Sequence, residues 1–171
     1  ATGRLVGAEA LLRWQHPEKG TISPAEFIPV LETSGLILEV GQWVLEQACR
    51  ALQDFETQGL WEDGMRLSIN ISPRQFRSKS FAEGVSQTLQ EIPIPANSLD
   101  IEITEGVVIQ NVDETINTME MLAAQGVSFS LDDFGTGYSS ISYLKRLPVA
   151  VLKIDQSFVR DLMDDRNNRV L

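Results

Sequence analysis

Cysteine and histidine are almost missing from this sequence: Cys49 and His16 are the only ones in 171 residues. A single thiol excludes an internal disulfide and any multi-cysteine zinc site. Basic residues are also scarce, with 14 Lys and Arg against 24 Asp and Glu and a net charge of −10. A protein that coats DNA or RNA needs a basic face to neutralise phosphates, so the acidic balance argues against that class. Any phosphate ligand would have to be met by local positive charge or by metal ions. No apolar run approaches the roughly 18 residues of a membrane-spanning helix, so no membrane contact is expected of this segment. There is no signal-peptide pattern, and the opening Ala1-Thr2-Gly3 reads as cut from something longer. What remains is ordinary: 43% hydrophobic and 22% charged residues, the balance of a globular protein with a real core. The length suits a single domain over 1–171, or a large part of one.

Short β-rich runs alternate with helical patterns along the chain. The strand-like runs are 4–14, 66–71, 99–104, 127–132 and 150–155; helical patterns cover 24–33, 38–57, 79–91, 112–125 and 140–146. Strand then helix, repeated, predicts right-handed βαβ units and a parallel sheet. Helix boundaries carry their own signals. Ser23-Pro24-Ala25-Glu26 and Ser72-Pro73-Arg74-Gln75 both read as capping boxes with Pro at the first helical position. Gly35 and Gly126 fall where helices should stop. In the long helix, Leu36, Val40, Trp43, Val44, Ala48, Leu52 and Phe55 form an apolar stripe.

Within the strands, apolar and polar residues alternate. Leu67, Ile69 and Ile71 alternate with Ser68, Asn70 and Ser72; Ile101 and Ile103 with Asp100, Glu102 and Thr104. Val127, Phe129 and Leu131 alternate with Ser128, Ser130 and Asp132, and Leu152 and Ile154 with Lys153 and Asp155. An antiparallel sheet with one wet face gives the same pattern. Intervening helices favour the other reading, in which apolar faces pack on helices and polar faces point into an enclosed barrel interior. The fold class read here is α/β, a (β/α)8 TIM-type barrel. A complete one needs about 250 residues, so about five strand–helix units are expected.

Glu9, Asn70, Glu102, Asp132, Asp133 and Lys153 then stand at the strand ends, with Arg13 four residues after Glu9. Several carboxylates gathered together repel one another and are costly to bury unless something compensates them. The compensation is either raised pKa values or hard cations. Carboxylate and amide oxygens, with almost no His or Cys, select Mg²⁺, Mn²⁺ or Ca²⁺ over zinc. Adjacent Asp132 and Asp133 could serve two ions, the usual arrangement for in-line attack on a phosphodiester.

The motifs that carry these residues resemble those of the EAL domains, phosphodiesterases that hydrolyse cyclic di-GMP to linear pGpG. Glu9-Ala10-Leu11-Leu12-Arg13-Trp14 is similar to the signature that names the family. The likeness continues through Ser23–Pro29, Ser68–Ser72, Glu102-Ile103-Thr104-Glu105, Asp132–Ser140 and Leu152-Lys153-Ile154-Asp155. By position, the resemblance implies that Glu9, Asn70, Glu102 and Asp132 ligate a first metal. It implies that Asp132 bridges to a second, with Asp133 completing that ion's protein ligands. Lys153 corresponds to the lysine beside the attacking water, so Lys153, Glu9 and Asp132 are the catalytic candidates. Arg13 would clamp a substrate phosphate, and Glu105 would order the loop that begins at Asp133.

Members of the family also carry strands before and after the segment matched here, and a later Val-Ala-Glu-Gly-Val-Glu segment supplies a further carboxylate for the second metal. The resemblance therefore implies a partial domain, and the 171-residue chain alone is expected to turn over slowly. It further implies Mg²⁺ or Mn²⁺ as cofactors, a cyclic dinucleotide as ligand, fusion to sensor or GGDEF-type domains, pairing of barrels into a homodimer, and a cytoplasmic location. Two rivals stand beside it: a non-catalytic receptor for cyclic di-GMP, and a barrel glycosidase using paired carboxylates. The second does not account for Asn70 and Lys153. His16, Cys49 and the tryptophans Trp14, Trp43 and Trp61 read as packing or rim residues.

Overall fold

The computed structural model describes residues 3–95, 97–135 and 144–156. Five strands form one curled parallel sheet: β1 (Gly7–Ala10), β4 (Arg66–Asn70), β5 (Leu99–Thr104), β6 (Ser128–Phe134) and β7 (Val151–Ile154). They lie side by side in chain order, each parallel to the next. This is a half-barrel of (β/α)8 type. The helices are α1 (Pro24–Ser34), α2 (Ile37–Thr57), α3 (Pro73–Phe76), α4 (Phe81–Glu91), α5 (Glu105–Gln110) and α6 (Val112–Ala123).

The alternation in the strands decides which face meets the helices. Ile69, Ile101, Ile103, Phe129 and Leu131 are almost fully buried, in one core with Cys49 and Leu52 of α2, Val85 of α4 and Met119 and Leu122 of α6. Asp100, Glu102 and Ser130 occupy the opposite parity and are buried as well, on the concave side. One set of strands thus carries an apolar convex face and a polar concave one.

Several elements differ from the sequence reading. The single run expected over 4–14 is β1 alone; Trp14 instead opens a hairpin of β2 (Trp14–His16) and β3 (Gly20–Ile22). Its turn is held by His16, whose Nδ1 accepts from the Glu18 and Lys19 amides. The stripe chosen on α2 is rotated from the true one: the helix buries Ile37, Gly41, Leu45, Ala48, Cys49 and Leu52, leaving Leu36, Trp43 and Phe55 substantially exposed. At Ser23 the hydroxyl caps Ala25 N, one residue earlier than a capping box requires, whereas Ser72 and Gln75 form the reciprocal pair. The helix start expected at Ser72-Pro73 opens the short α3, α5 lies outside the expected helical runs, α4 starts at Phe81, and α6 ends at Ala123. Most of the short helix expected over 140–146 lies outside the described residues.

Candidate active site

The C-terminal ends of the parallel strands place the candidate residues. Asn70 of β4 and Glu102 of β5 are in register, and Thr104 of β5 is in register with Asp132 of β6. Glu9 lies near the end of β1, and the Asn70 amide donates from Nδ2 to Glu9 Oε1 at 2.7 Å. From β7, Lys153 Nζ reaches Glu102 Oε1 in a short, charge-assisted contact. The Glu102 side chain is 1% exposed and Lys153 is 38% exposed. The other carboxylate oxygen, Glu102 Oε2, is buried with no partner among the described residues. Thus the recess is deep at β5 and open towards β1, where Glu9 and Asn70 are exposed.

Electrostatics follow from that geometry. Partial burial works to lower the Lys153 pKa, but the Glu102 hydrogen bond and the charges of Glu102, Glu9 and Asp132 outweigh it and hold the ammonium above its ordinary range. The Asp133 pKa is raised too, which for a carboxylate disfavours the charged form: partial desolvation, then the neighbouring charges of Asp132 and Asp155, cause the shift. A register shift in the pairing of β6 with β7 falls between Leu131 and Phe134, and Asp133 has a left-handed backbone with φ 52°. Such an irregularity re-aims the side chains around it, and here it separates Asp132, half-buried in the recess, from the exposed Asp133.

A cavity of about 380 Å³ opens over this end of the sheet and takes in Arg13, Asn70, Glu102, Thr104 and Asp132. Arg13 donates from Nη1 to the Leu12 carbonyl at 3.0 Å and sits exposed at the rim. Glu105, buried at the start of α5, accepts at Oε2 from Gly135 N at 3.2 Å and so ties the end of β6 to β5. A larger cavity of about 520 Å³ lies on the helical side, between α2 and α4, and holds none of the candidate residues.

The structure therefore brings Glu9 onto Asn70 and Lys153 onto Glu102, with Asn70 and Glu102 on neighbouring strands and lining one cavity together with Asp132 and Arg13. Among the described residues no three His, Cys, Asp or Glu side chains are close enough to hold a metal ion as they stand. The donor chemistry nonetheless fits a hard divalent cation: every available ligand is oxygen, and Glu102 Oε2 is a buried anionic acceptor without a partner. One inward residue escaped the sequence reading as a site component. Asp100, two positions before Glu102, is buried on the same face, and its alternation with Ile101 was the signal.

An open parallel β/α half-barrel with acidic and amide side chains at its C-terminal strand ends defines the architecture of a TIM-type enzyme site. The family model of the EAL domain matches residues 1–171, and the chain belongs to the EAL domain family. The chain is 45% identical over 162 residues to sll1895 of Synechocystis, covering 95% of this chain and 23% of that protein. It is 40% identical over 173 residues to MucR of Pseudomonas aeruginosa, a bifunctional diguanylate cyclase/cyclic di-GMP phosphodiesterase, covering 99% of this chain and 24% of MucR. It is also 40% identical, over 162 residues, to the cyclic di-GMP phosphodiesterase NbdA of the same organism, covering 95% of this chain and 20% of NbdA. The chain thus spans about a quarter or less of the length of these relatives. Among solved structures, the MucR phosphodiesterase in complex with c-di-GMP superposes with a TM-score of 0.90 at 39% identity, covering 98% of this chain and 67% of that one. The EAL enzyme Bd1971, in its cAMP- and cyclic-di-GMP-bound form, gives 0.83 at 33% identity, covering 96% and 45%.

Proposed function

We propose that this chain carries the catalytic face of a divalent-metal-dependent phosphodiesterase that hydrolyses cyclic di-GMP to linear pGpG. The observation that carries the reading is Glu102: a carboxylate buried at a strand end, neutralised on one oxygen by Lys153 and unpartnered on the other, beside the Glu9–Asn70 pair. The names of MucR and NbdA support the choice of substrate.

Glu9, Asn70, Glu102 and Asp132 would hold one Mg²⁺ or Mn²⁺ ion, and Asp132 with Asp133 a second. When bound, such ions lower the pKa of a coordinated water and offset charge on the phosphoryl oxygens. The remaining work belongs to the chain's own groups. Lys153 Nζ, kept protonated by Glu102, Glu9 and Asp132, favours hydroxide over water at its side and stabilises negative charge that develops on the phosphorane. Arg13, free of any ion pair among the described residues, offers a planar fork to a substrate phosphate. Glu105 restrains the segment after β6 through the Gly135 amide and so limits the positions Asp132 and Asp133 adopt. The same reading places the domain in the cytoplasm, joined to sensor or GGDEF-type domains and paired with a second copy. No helix among the described residues is long and apolar enough to cross a membrane.

The test is chromatographic. The protein as its gene encodes it is incubated with cyclic di-GMP and Mg²⁺ or Mn²⁺, and the nucleotides are separated. The expected result is pGpG formation that chelator stops and that Glu9→Ala abolishes. Tight binding of the dinucleotide with no cleavage in either metal would overturn hydrolysis in favour of a receptor.

A further inference from the structure

Beneath the candidate ligands lies a second polar layer that the proposed chemistry does not use. Ser68, Asp100 and Ser130 stand on three adjacent strands, β4, β5 and β6. Asp100 is 2% exposed, and both serines donate to the same oxygen, Oδ2: Ser68 Oγ at 3.2 Å and Ser130 Oγ at 2.6 Å. Its other oxygen, Oδ1, is buried with no partner among the described residues. Each member lies two residues before a candidate ligand: Ser68 before Asn70, Asp100 before Glu102, Ser130 before Asp132. In a strand, positions i and i+2 share a face, so the three-residue layer stands directly under the three ligands.

A carboxylate buried at this depth is costly, and an apolar side chain would fill the space without that cost. What the carboxylate adds is a single acceptor shared by two strands on either side of its own. Backbone pairing fixes how the strands run, and the convex face fixes their register through Ile69, Ile101, Phe129 and their neighbours. Neither restrains the concave side, where the ligand layer contains no apolar packing to hold it. A charge-assisted hydrogen bond is short and directional; the 2.6 Å bond from Ser130 pins β6 to β5 immediately below the site, and the longer 3.2 Å bond from Ser68 ties β4 to the same oxygen more weakly.

We propose that Asp100 is a positioning residue: with Ser68 and Ser130 it clasps β4, β5 and β6 so that Asn70, Glu102 and Asp132 keep the spacing a divalent cation requires. The inference rests on reading those three residues as cation ligands. It goes beyond that reading by assigning the cation's affinity in part to a residue that does not touch it.

The experiment measures Mn²⁺ affinity from the free-ion paramagnetic resonance signal, with thermal unfolding in parallel, on the protein as its gene encodes it. Asp100→Ala should weaken Mn²⁺ binding on the order of 10-fold, as loss of an outer support of a metal site does. Asp100→Asn, which keeps an oxygen for the two serines, should recover most of it, and Ser130→Ala should fall between. Leu122→Ala, a core deletion in α6, should lower the melting temperature without changing the Mn²⁺ affinity of the folded protein. Should Asp100→Ala fail to fold, Ser130→Ala carries the same comparison. Wild-type affinity in the clasp variants, with binding abolished in Glu102→Gln, would overturn the clasp and leave the cation site standing. Equal losses in Asp100→Asn and Asp100→Ala would also overturn the clasp. A wild-type protein that binds no Mn²⁺ would overturn the cation site and the clasp with it.

Discussion

Replacing Lys153 with methionine removes a charge from the recess while keeping most of the side chain's length. In the wild-type protein Lys153 neutralises one oxygen of a carboxylate that is 1% exposed, and the second oxygen has no partner among the described residues. Lys153→Met therefore leaves the Glu102 carboxyl buried and without its counter-charge. Breaking a fully buried ion pair from one side costs about 3–5 kcal/mol. Lys153 is 38% exposed, so water already screens part of the pair, and the expected cost falls to about 2–3 kcal/mol. For a domain of this size that is about 5–10 °C in melting temperature. Glu102→Gln added to Lys153→Met should restore most of the loss, because neither partner is then charged. The assay is urea unfolding followed by circular dichroism at neutral pH, first with chelator and then with Mn²⁺. In Mn²⁺ the Lys153→Met defect should shrink, since a cation can take over neutralisation of Glu102. A loss below about 0.5 kcal/mol, additive with Glu102→Gln as for independent surface positions, would refute the electrostatic reasoning.

Two further outcomes test the packing. A Cβ on Gly41 would lie 1.7 Å from Gln75 Nε2, and Gln75 is held in place by the Ser72 amide. Gly41→Ala should therefore destabilise by about 1–2 kcal/mol despite its better helix propensity; it should become neutral or stabilising in a Gln75→Ala background, and stabilisation of the wild type would contradict this packing. At Cys49, burial, and secondarily the charge of Glu46, push the thiol from 9.0 up to about 11. The unfolded chain releases that proton first, so the stability this residue contributes is complete below about pH 9 and declines as pH rises towards 11. Urea unfolding should show wild type losing stability relative to Cys49→Ala over that range, and parallel curves would contradict it.

The sheet was legible because period-two alternation survives wherever a strand separates two environments. Ile101 and Ile103 against Asp100 and Glu102 gave β5 to the residue, and β4 and β6 followed with edges shifted by one or two positions. The hairpin of β2 and β3 was not legible, since three-residue strands are too short to display a period. Helix α5 was hidden for another reason: Glu105-Gly106-Val107-Val108 has poor helix propensity, and burial of Val107 and Val108 in the core overrides it. On α2, Trp43 and Phe55 pulled the expected stripe towards themselves, yet they border an open groove beside β1 rather than the core. In the site, spacing and motif named Glu9, Asn70, Glu102 and Lys153, but which oxygen meets which nitrogen depends on the curl of the sheet. The Ser68–Asp100–Ser130 layer likewise required coordinates, because only curvature brings side chains from two flanking strands onto one oxygen.

Anomalous diffraction from crystals grown with Mn²⁺ tests the central claim most directly, because it locates the cation without reference to activity. The expected result is a peak among Glu9, Asn70, Glu102 and Asp132, with the Asn70 amide turned so that its oxygen faces the ion. Mn²⁺ density confined to other surfaces, with Glu102 held only by Lys153 at saturating metal, would contradict it.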